Sequence, residues 1–488
     1  MRVLRMCGIG CLLLVAAVGA SAQTWTPLKN QPTKIAGGAG PGLLMHDGTV
    51  LVHDACGTDW WKLTPDNTGS YVNGTWSEVK AQMPNGYKPL YFGSAVLPDG
   101  RLIVEGGEYQ NCQSAWTNMG AIYDPVKNKW TAVTPPSGWS TIGDAQSVIL
   151  DNGTYVQANC CQSGTYPVAY LDAKTLKWTL HGTGKLDRYD EEGWEKLDDG
   201  YIFTTSAISS PAAQQYDPTT EKWISAGTAC QLEDQNSQEI GPAVTLPSGQ
   251  VWNTGAQDQK TGTGHTCTYT PSKKAGGAGT WKNGPDFPGG NDAEDAPAAL
   301  EITGNAIVQV SPGVFNPPST FYEWNGKTLT KLPAPANAPN DPSYVGTFLE
   351  LPTGQLLWMD LTDTVEVFTP KGTYNKAWQP TISSVPSTVT HGDSYKISGT
   401  QFNGFSQGAF YGDDNQMATN YPLVRITNTS TSHVFYCKTD NPSTMAINTG
   451  SKSVSATFAV PSGIETGAST IEVVTNGIPS AATKITVN

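Results

Sequence analysis

The chain has 488 residues, rich in Gly (52) and Pro (34), and its 29 Lys+Arg against 42 Asp+Glu give a net charge of -13. That balance argues against nucleic acid and anionic membrane surfaces as partners, and the length allows more than one core joined by many turns. Arg2 and Arg5 precede an apolar run from Cys7 to Gly19, followed by the small residues Ala20-Ser21-Ala22. Residues 1–22 therefore read as a secretory signal peptide, which predicts a secreted, periplasmic or extracellular protein with no later membrane span. Of the nine Cys, those outside this leader are Cys56, Cys112, Cys160, Cys161, Cys230, Cys267 and Cys437, an odd number that leaves at least one thiol after any pairing. The adjacent Cys160 and Cys161 could pair with each other or elsewhere, and no zinc-type spacing is present.

From residue 23 onward the sequence is periodic. "LLMHDGTVLVHD", "AVLPDGRLIVEGG", "SVILDNGTYVQAN", "EKLDDGYIFTTS", "AVTLPSGQVWNTG", "LEITGNAIVQVS" and "FLELPTGQLLWMD" each place a turn between short apolar strands. Two-residue Asp-Gly or Asn-Gly turns suit such hairpins because these residues accept positive φ at little cost. The turn glycines run from Gly48 to Gly354 with a mean spacing of about 51 residues. Within most copies an aromatic strand, a polar turn and a strand starting near Trp follow, as in "AIYDPVKNKWTAV" and "QQYDPTTEKWISA". Four strands per copy and seven copies predict an all-β fold, a seven-bladed kelch-type β-propeller over 23–379. The recurring aromatics Tyr123, Trp130, Tyr170, Trp178, Tyr216 and Trp223 are expected to pack between blades rather than stack on a ligand. "QTWTPL" is expected to close the last blade, with "NKAWQP" as the competing strand. From Pro380 the period is lost, and the strands of 380–488 predict an immunoglobulin-like (early-set) β-sandwich.

This organisation, with "DPSYVGTFLELPTGQLL" in the seventh copy and "VPSGIETGASTIEVVTNGIPS" near the end, resembles the galactose oxidase and glyoxal oxidase family of secreted copper-radical oxidases. The resemblance implies a copper site of two His and two Tyr, one Tyr being cross-linked to a Cys. Carried over residue by residue, the axial Tyr falls on Tyr344, its neighbouring His on Val345, the cross-linking Cys on Tyr91 and the modified Tyr on Asp144. The segment around "GAFYGDDNQ", where the family has its second ligand His, contains none. Copper prefers imidazole and thiolate, so copper-radical oxidation is not expected here.

The same register brings acids to the position before the first strand of successive copies: Asp144, then Asp190, Glu191 and Glu192, then Glu239, then Glu294 and Asp295, then Asp341 beside Tyr344. Tyr91 holds that position in the second copy, and Trp194 lies close by in the fourth. Crowded carboxylates in a channel mouth hold protons or share a cation. Asp144 and Glu191 are the candidates for acid and base or nucleophile in glycosidic cleavage. Tyr91, Asp190, Glu192, Trp194, Glu239, Asp295, Asp341 and Tyr344 are the candidates for holding a carbohydrate. Ca²⁺ suits such oxygen ligands, whereas copper does not. His53 and His265 near the rim form a weaker metal alternative. The expected function is carbohydrate binding outside the cell, with acid/base saccharide chemistry, a structural or adhesion platform, and plain solvated loop acids as alternatives.

Overall fold

The structure is a computed structural model that describes residues 23–161, 164–274, 276–313, 315–411 and 417–488. The expected signal peptide and the segment 412–416 within "GAFYGDDNQ" lie outside these residues. The fold is all-β, and helix among the described residues is limited to short 3-10 turns. Each copy of the repeat forms one antiparallel sheet in strand order. The first strands are Ala39–Leu44, Gly93–Val96, Ser147–Ile149, Glu195–Lys196, Ala243–Thr245, Pro297–Leu300 and Thr347–Glu350, beginning sheets 1 to 7. Sheet 7 takes its fourth strand from the other end of the chain: Thr24–Pro27 pairs antiparallel with Glu366–Thr369, as expected for "QTWTPL". The rival "NKAWQP" is not a strand, because Lys376–Trp378 turns as a 3-10 helix capped by the Asn375 side chain.

The first two strands of each sheet are almost wholly buried, for example Val50–Asp54 and Leu102–Glu105. Fourth strands such as Lys129–Val133 expose alternate residues, as the period of two requires at an outer edge. First strands of sheets 1 and 2, 2 and 3, 4 and 5, and 5 and 6 lie against one another, and that of sheet 7 lies against those of sheets 6 and 1. Of the recurrent aromatics Tyr123, Trp130, Tyr216 and Trp223 are buried, whereas Tyr170 and Trp178 are half-buried against core clusters. In sheets 1, 3, 5 and 7 the repeat Trp also ties its sheet to the one before it: Trp76 Nε1 donates to Asn30 O (3.0 Å), Trp178 to Thr134 O (2.8 Å), Trp281 to Ala226 O (2.9 Å) and Trp25 to Pro333 O (2.8 Å).

The hairpin turns differ from the two-residue form. Met45 N donates to Thr49 O and Gly48 N to Met45 O, and the same pair of bonds recurs at Leu97/Arg101, Leu150/Thr154, Leu197/Tyr201, Leu246/Gln250, Glu301/Asn305 and Leu351/Gln355. These are three-residue loops in which the glycine ends a turn in the left-handed region, with φ from 76° at Gly48 to 87° at Gly153. A Cβ at Gly48 would also lie 2.4 Å from the Tyr436 ring, so both φ and space require glycine there.

Strands between Thr381–Ser384 and Thr483–Val487 form a further sheet around a separate core that includes Val389, Ile397, Val424, Ile426, Phe458 and Val473. This unit sits on the turn ends of the repeat. Tyr421 Oη donates to Leu44 O, Thr439 O bonds His46 Nδ1 at 2.8 Å, and Lys196 Nζ donates to Met445 O at 2.7 Å. It also adds Ala409–Tyr411 to the edge of sheet 6. The segments that precede the first strands are thereby left at the opposite end of the sheets.

Candidate functional site

Those preceding segments converge. Tyr91, Asp144, Glu191, Glu239, Asp295 and Tyr344 each stand two to four residues before the first strand of sheets 2 to 7, and together they line one cavity of about 160 Å³. Glu108, Tyr109 and Phe315 complete its wall. Three of the lining residues adopt left-handed backbone: Tyr91 (φ 50°), Glu191 (φ 55°) and Asp295 (φ 48°). Non-glycine residues hold such angles at a cost of about 1 kcal/mol or more, and strain of this kind collects at functional sites.

The wall has two chemistries. Tyr91 Oη donates to Tyr344 O at 3.4 Å, the Tyr91 and Tyr109 rings meet edge to face at 6.0 Å, and Phe315, 74% exposed, stands edge to face with Tyr344 at 5.7 Å. Five carboxyl groups share the wall with these rings, and there is no Lys, Arg or His among the described lining residues. Carboxylate oxygens of Glu191, Glu239 and Asp295 lie within 4.8 Å of one another. Asp144 is 5% exposed and its Oδ1 has no hydrogen-bond partner.

Such crowding holds protons in the site. Burial, then repulsion from Glu108 and Asp190, pushes Asp144 well above the usual carboxylate range. Burial, then Asp295 and Glu191, raises Glu239, which shares hydrogen bonds with both. Asp295 is pushed up to about 7 and Glu108 to about 6, burial being the main cause for each. A carboxyl raised in the folded state stabilises the fold at low pH and loses that contribution as pH rises through its folded value. Asp295→Asn is therefore expected to match the parent's urea midpoint near pH 4 and exceed it near pH 8. Equal midpoints at both pH values would refute the assignment.

Four expected site residues lie elsewhere. Trp194 is 1% exposed and packs between Tyr189 and Trp223, so it offers no face to a sugar. Glu192 is fully buried and turned away from the cavity to accept from Lys185 Nζ at 2.9 Å. Asp341 is buried, and burial and the nearby Asp360 raise it to about 7; it does not line the cavity. Asp190 accepts from Arg188 and lies beside Asp144 and the Cys160–Cys161 disulfide rather than on the wall. His53 is buried against Gly57 O, while His265 sits between Asp258 and Asp286. Neither lines the cavity, so the two-His alternative fails. Glu108, Tyr109 and Phe315 were missed because they follow second strands or lie in a loop; the acid-aromatic pair after Gly106-Gly107 was the available signal.

Cys56 pairs with Cys112, Cys160 with Cys161 and Cys230 with Cys267, leaving Cys437 as a buried thiol. The Cys160–Cys161 sulfurs beside Asp144 are thus bonded, and the side-chain donors of the described lining residues are carboxylate and phenol oxygens. This donor set does not fit the copper-radical centre of the similar oxidases. It is compatible with a hard cation such as Ca²⁺ at Glu191, Glu239 and Asp295.

No family model matches the chain. A curated relative, the Kelch-like protein terF of Aspergillus terreus (strain NIH 2624 / FGSC A1156), is 27% identical over 118 residues, 22% of this chain. The chain thus spans 25% of the length of that relative. Among solved structures, a fungal alcohol oxidase of the AA5 family in complex with copper is similar over 96% of this chain and 100% of its own, with a TM-score of 0.51 and 15% identity. The likeness to kelch and galactose oxidase-like proteins is therefore one of fold. No described helix is long and apolar enough to cross a membrane.

Proposed function

We propose that this is an exported carbohydrate-binding protein, a seven-bladed kelch propeller carrying an immunoglobulin-like C-terminal domain, which holds a saccharide at the open end of its channel without copper-radical chemistry. The domains run over 23–379 and 380–488, after a cleaved leader at 1–22. The observation that carries the reading is one cavity lined by both aromatic rings and carboxyl groups, the latter in mixed protonation. A sugar presents apolar C–H faces to the first, and hydroxyls that both donate and accept to the second. At about 160 Å³ the cavity is smaller than sites for drug-sized ligands, roughly 300–1,000 Å³, and suits a single ring. The three disulfides support an oxidising compartment.

A second reading, acid/base cleavage of glycosidic bonds, is favoured by Asp144. A buried carboxyl that keeps its proton and lines the cavity has the character of a general acid, with Glu191, which lines the same cavity, as its partner.

The test is mass spectrometry of a glycan panel incubated with the protein, with and without Ca²⁺ and Cu²⁺, scoring depletion and products. Depletion without products supports binding, cleaved products lost in Asp144→Asn support the second reading, and copper-dependent oxidised products refute both. Tyr344→Ala is expected to weaken binding by about tenfold if the rings stack on the sugar. Unchanged affinity would remove the rings from the site.

A further inference from the structure

A second concavity lies apart from the channel cavity. It is a groove of about 490 Å³ on the flank of sheet 1, and it shares no lining residue with the carboxyl-lined site. One wall comes from the third and fourth strands of that sheet, Trp60–Thr64 and Thr75–Val79. The other is the segment 30–34, which leads from the closing strand of sheet 7 into sheet 1. The volume falls within the roughly 300–1,000 Å³ of small-molecule sites.

Both walls are held in place. Trp61 stands opposite Glu78 and Leu63 opposite Trp76 in the strand pairing, so the two indoles project from one face of the sheet as diagonal neighbours, about 7–8 Å apart. Each is half-buried against the main core, and Trp76 Nε1 donates to Asn30 O at 3.0 Å. On the facing wall Asn30 Nδ2 donates to Gly74 O at 2.8 Å, and the Gln31 amide donates to Val365 O at 3.0 Å while accepting from Val365 N at 2.8 Å. A ligand entering here meets a site that needs little ordering.

The charge of the groove runs against that of the chain. With a net charge of -13 overall, the protein lines this site with two lysines and one acid. Lys80 pairs with Glu78, whereas the exposed Lys34 makes no ion pair among the described residues. Salt screens carboxylates more than about 8–10 Å away, so the Lys34 ammonium sets the local field. The exposed hydroxyls of Thr33, Thr75 and Ser77 stand around it. Indole faces, a hydroxyl rim and one uncompensated cation match a sugar ring bearing a carboxylate. A neutral sugar leaves the ammonium unused, and a flat aromatic acid leaves the hydroxyls unused.

We propose that this groove is a second binding site that takes an acidic saccharide, a uronic acid oligomer, with ring faces on Trp61 and Trp76 and a carboxylate accepting from Lys34. The proposal stands apart from the channel reading, because neither site uses a residue of the other.

Calorimetry on the full chain tests this with trigalacturonate, cellotriose and para-hydroxybenzoate at low and high salt. The expected result is an affinity for trigalacturonate that falls at least about tenfold in Lys34→Gln and falls with added salt, while that for cellotriose changes with neither. Trp61→Leu should weaken trigalacturonate by a similar factor. Trigalacturonate that fails to bind, or binds the Lys34→Gln protein equally well, overturns the proposal. Para-hydroxybenzoate binding as tightly as trigalacturonate and displacing it would make the groove a site for aromatic acids, which also overturns it. Cellotriose binding that persists in Lys34→Gln and is lost in Tyr344→Ala belongs to the channel cavity, so the two readings fail separately.

Discussion

Replacing Lys185 by Met is expected to destabilise the protein by about 3–5 kcal/mol. The Lys185 side chain is 1% exposed, and its Nζ donates to Asp187 Oδ1 at 2.5 Å and to Glu192 Oε1 at 2.9 Å, both buried. Burial alone would lower its affinity for a proton, but the two carboxylates outweigh this and keep it charged. Ser206 donates to Asp187 and Thr204 to Glu192, and the ammonium also stands over the Tyr189 ring at 5.1 Å. Methionine fills a similar volume but leaves two carboxyls without their counter-charge. These would then be driven to take up protons, so the loss should grow as pH rises. Urea unfolding at several pH values measures it, and adding Asp187→Asn and Glu192→Gln should restore much of the stability. A single variant as stable as the parent at every pH would show that the triad contributes nothing. Glu191 precedes Glu192 directly, so the single variant should also weaken the ligand site.

Removing the Cys56–Cys112 disulfide, as Cys56→Ala/Cys112→Ala, is expected to cost about 4 kcal/mol by the loop-entropy relation for its separation of 56 residues. Its effect on the site has a second origin. Cys112 lies at the tip of the small hairpin Tyr109–Gln110 and Gln113–Ser114, and the disulfide ties this tip to the loop after Val50–Asp54. Glu108 and Tyr109 stand at the base of the hairpin and line the cavity. The double variant should therefore show both a lower denaturation midpoint and weaker ligand binding. A lowered midpoint with unchanged affinity would mean that the hairpin holds its place without the bond.

Much of the fold was legible because a repeat constrains its own reading. One hairpin can be misplaced by several residues, but copies at a common spacing fix each other's register, and the position before each first strand becomes identifiable. That is why Tyr91, Asp144, Glu191, Glu239, Asp295 and Tyr344 were found from sequence and occupy one cavity. The turn length was misjudged because Asp-Gly serves two-residue and three-residue loops alike, and only the Met45 to Thr49 bond pattern distinguishes them.

The acid run from Asp190 to Asp199 marks where sequence reading stops. Its members look equivalent on the page, yet Glu191 lines the cavity, Glu192 pairs with Lys185, Glu195 accepts from Thr245, Asp198 accepts from Asn448 and Asp199 caps a turn at Tyr201. By itself the sequence determined the period, the strands, the turn glycines and the convergence of acids at one end, because these depend on local preferences repeated in register. Tertiary structure alone decided which carboxyl faces the ligand, which is neutralised by a buried lysine and which holds a proton, because side-chain direction in a loop and the dielectric around a charge depend on neighbours remote in sequence.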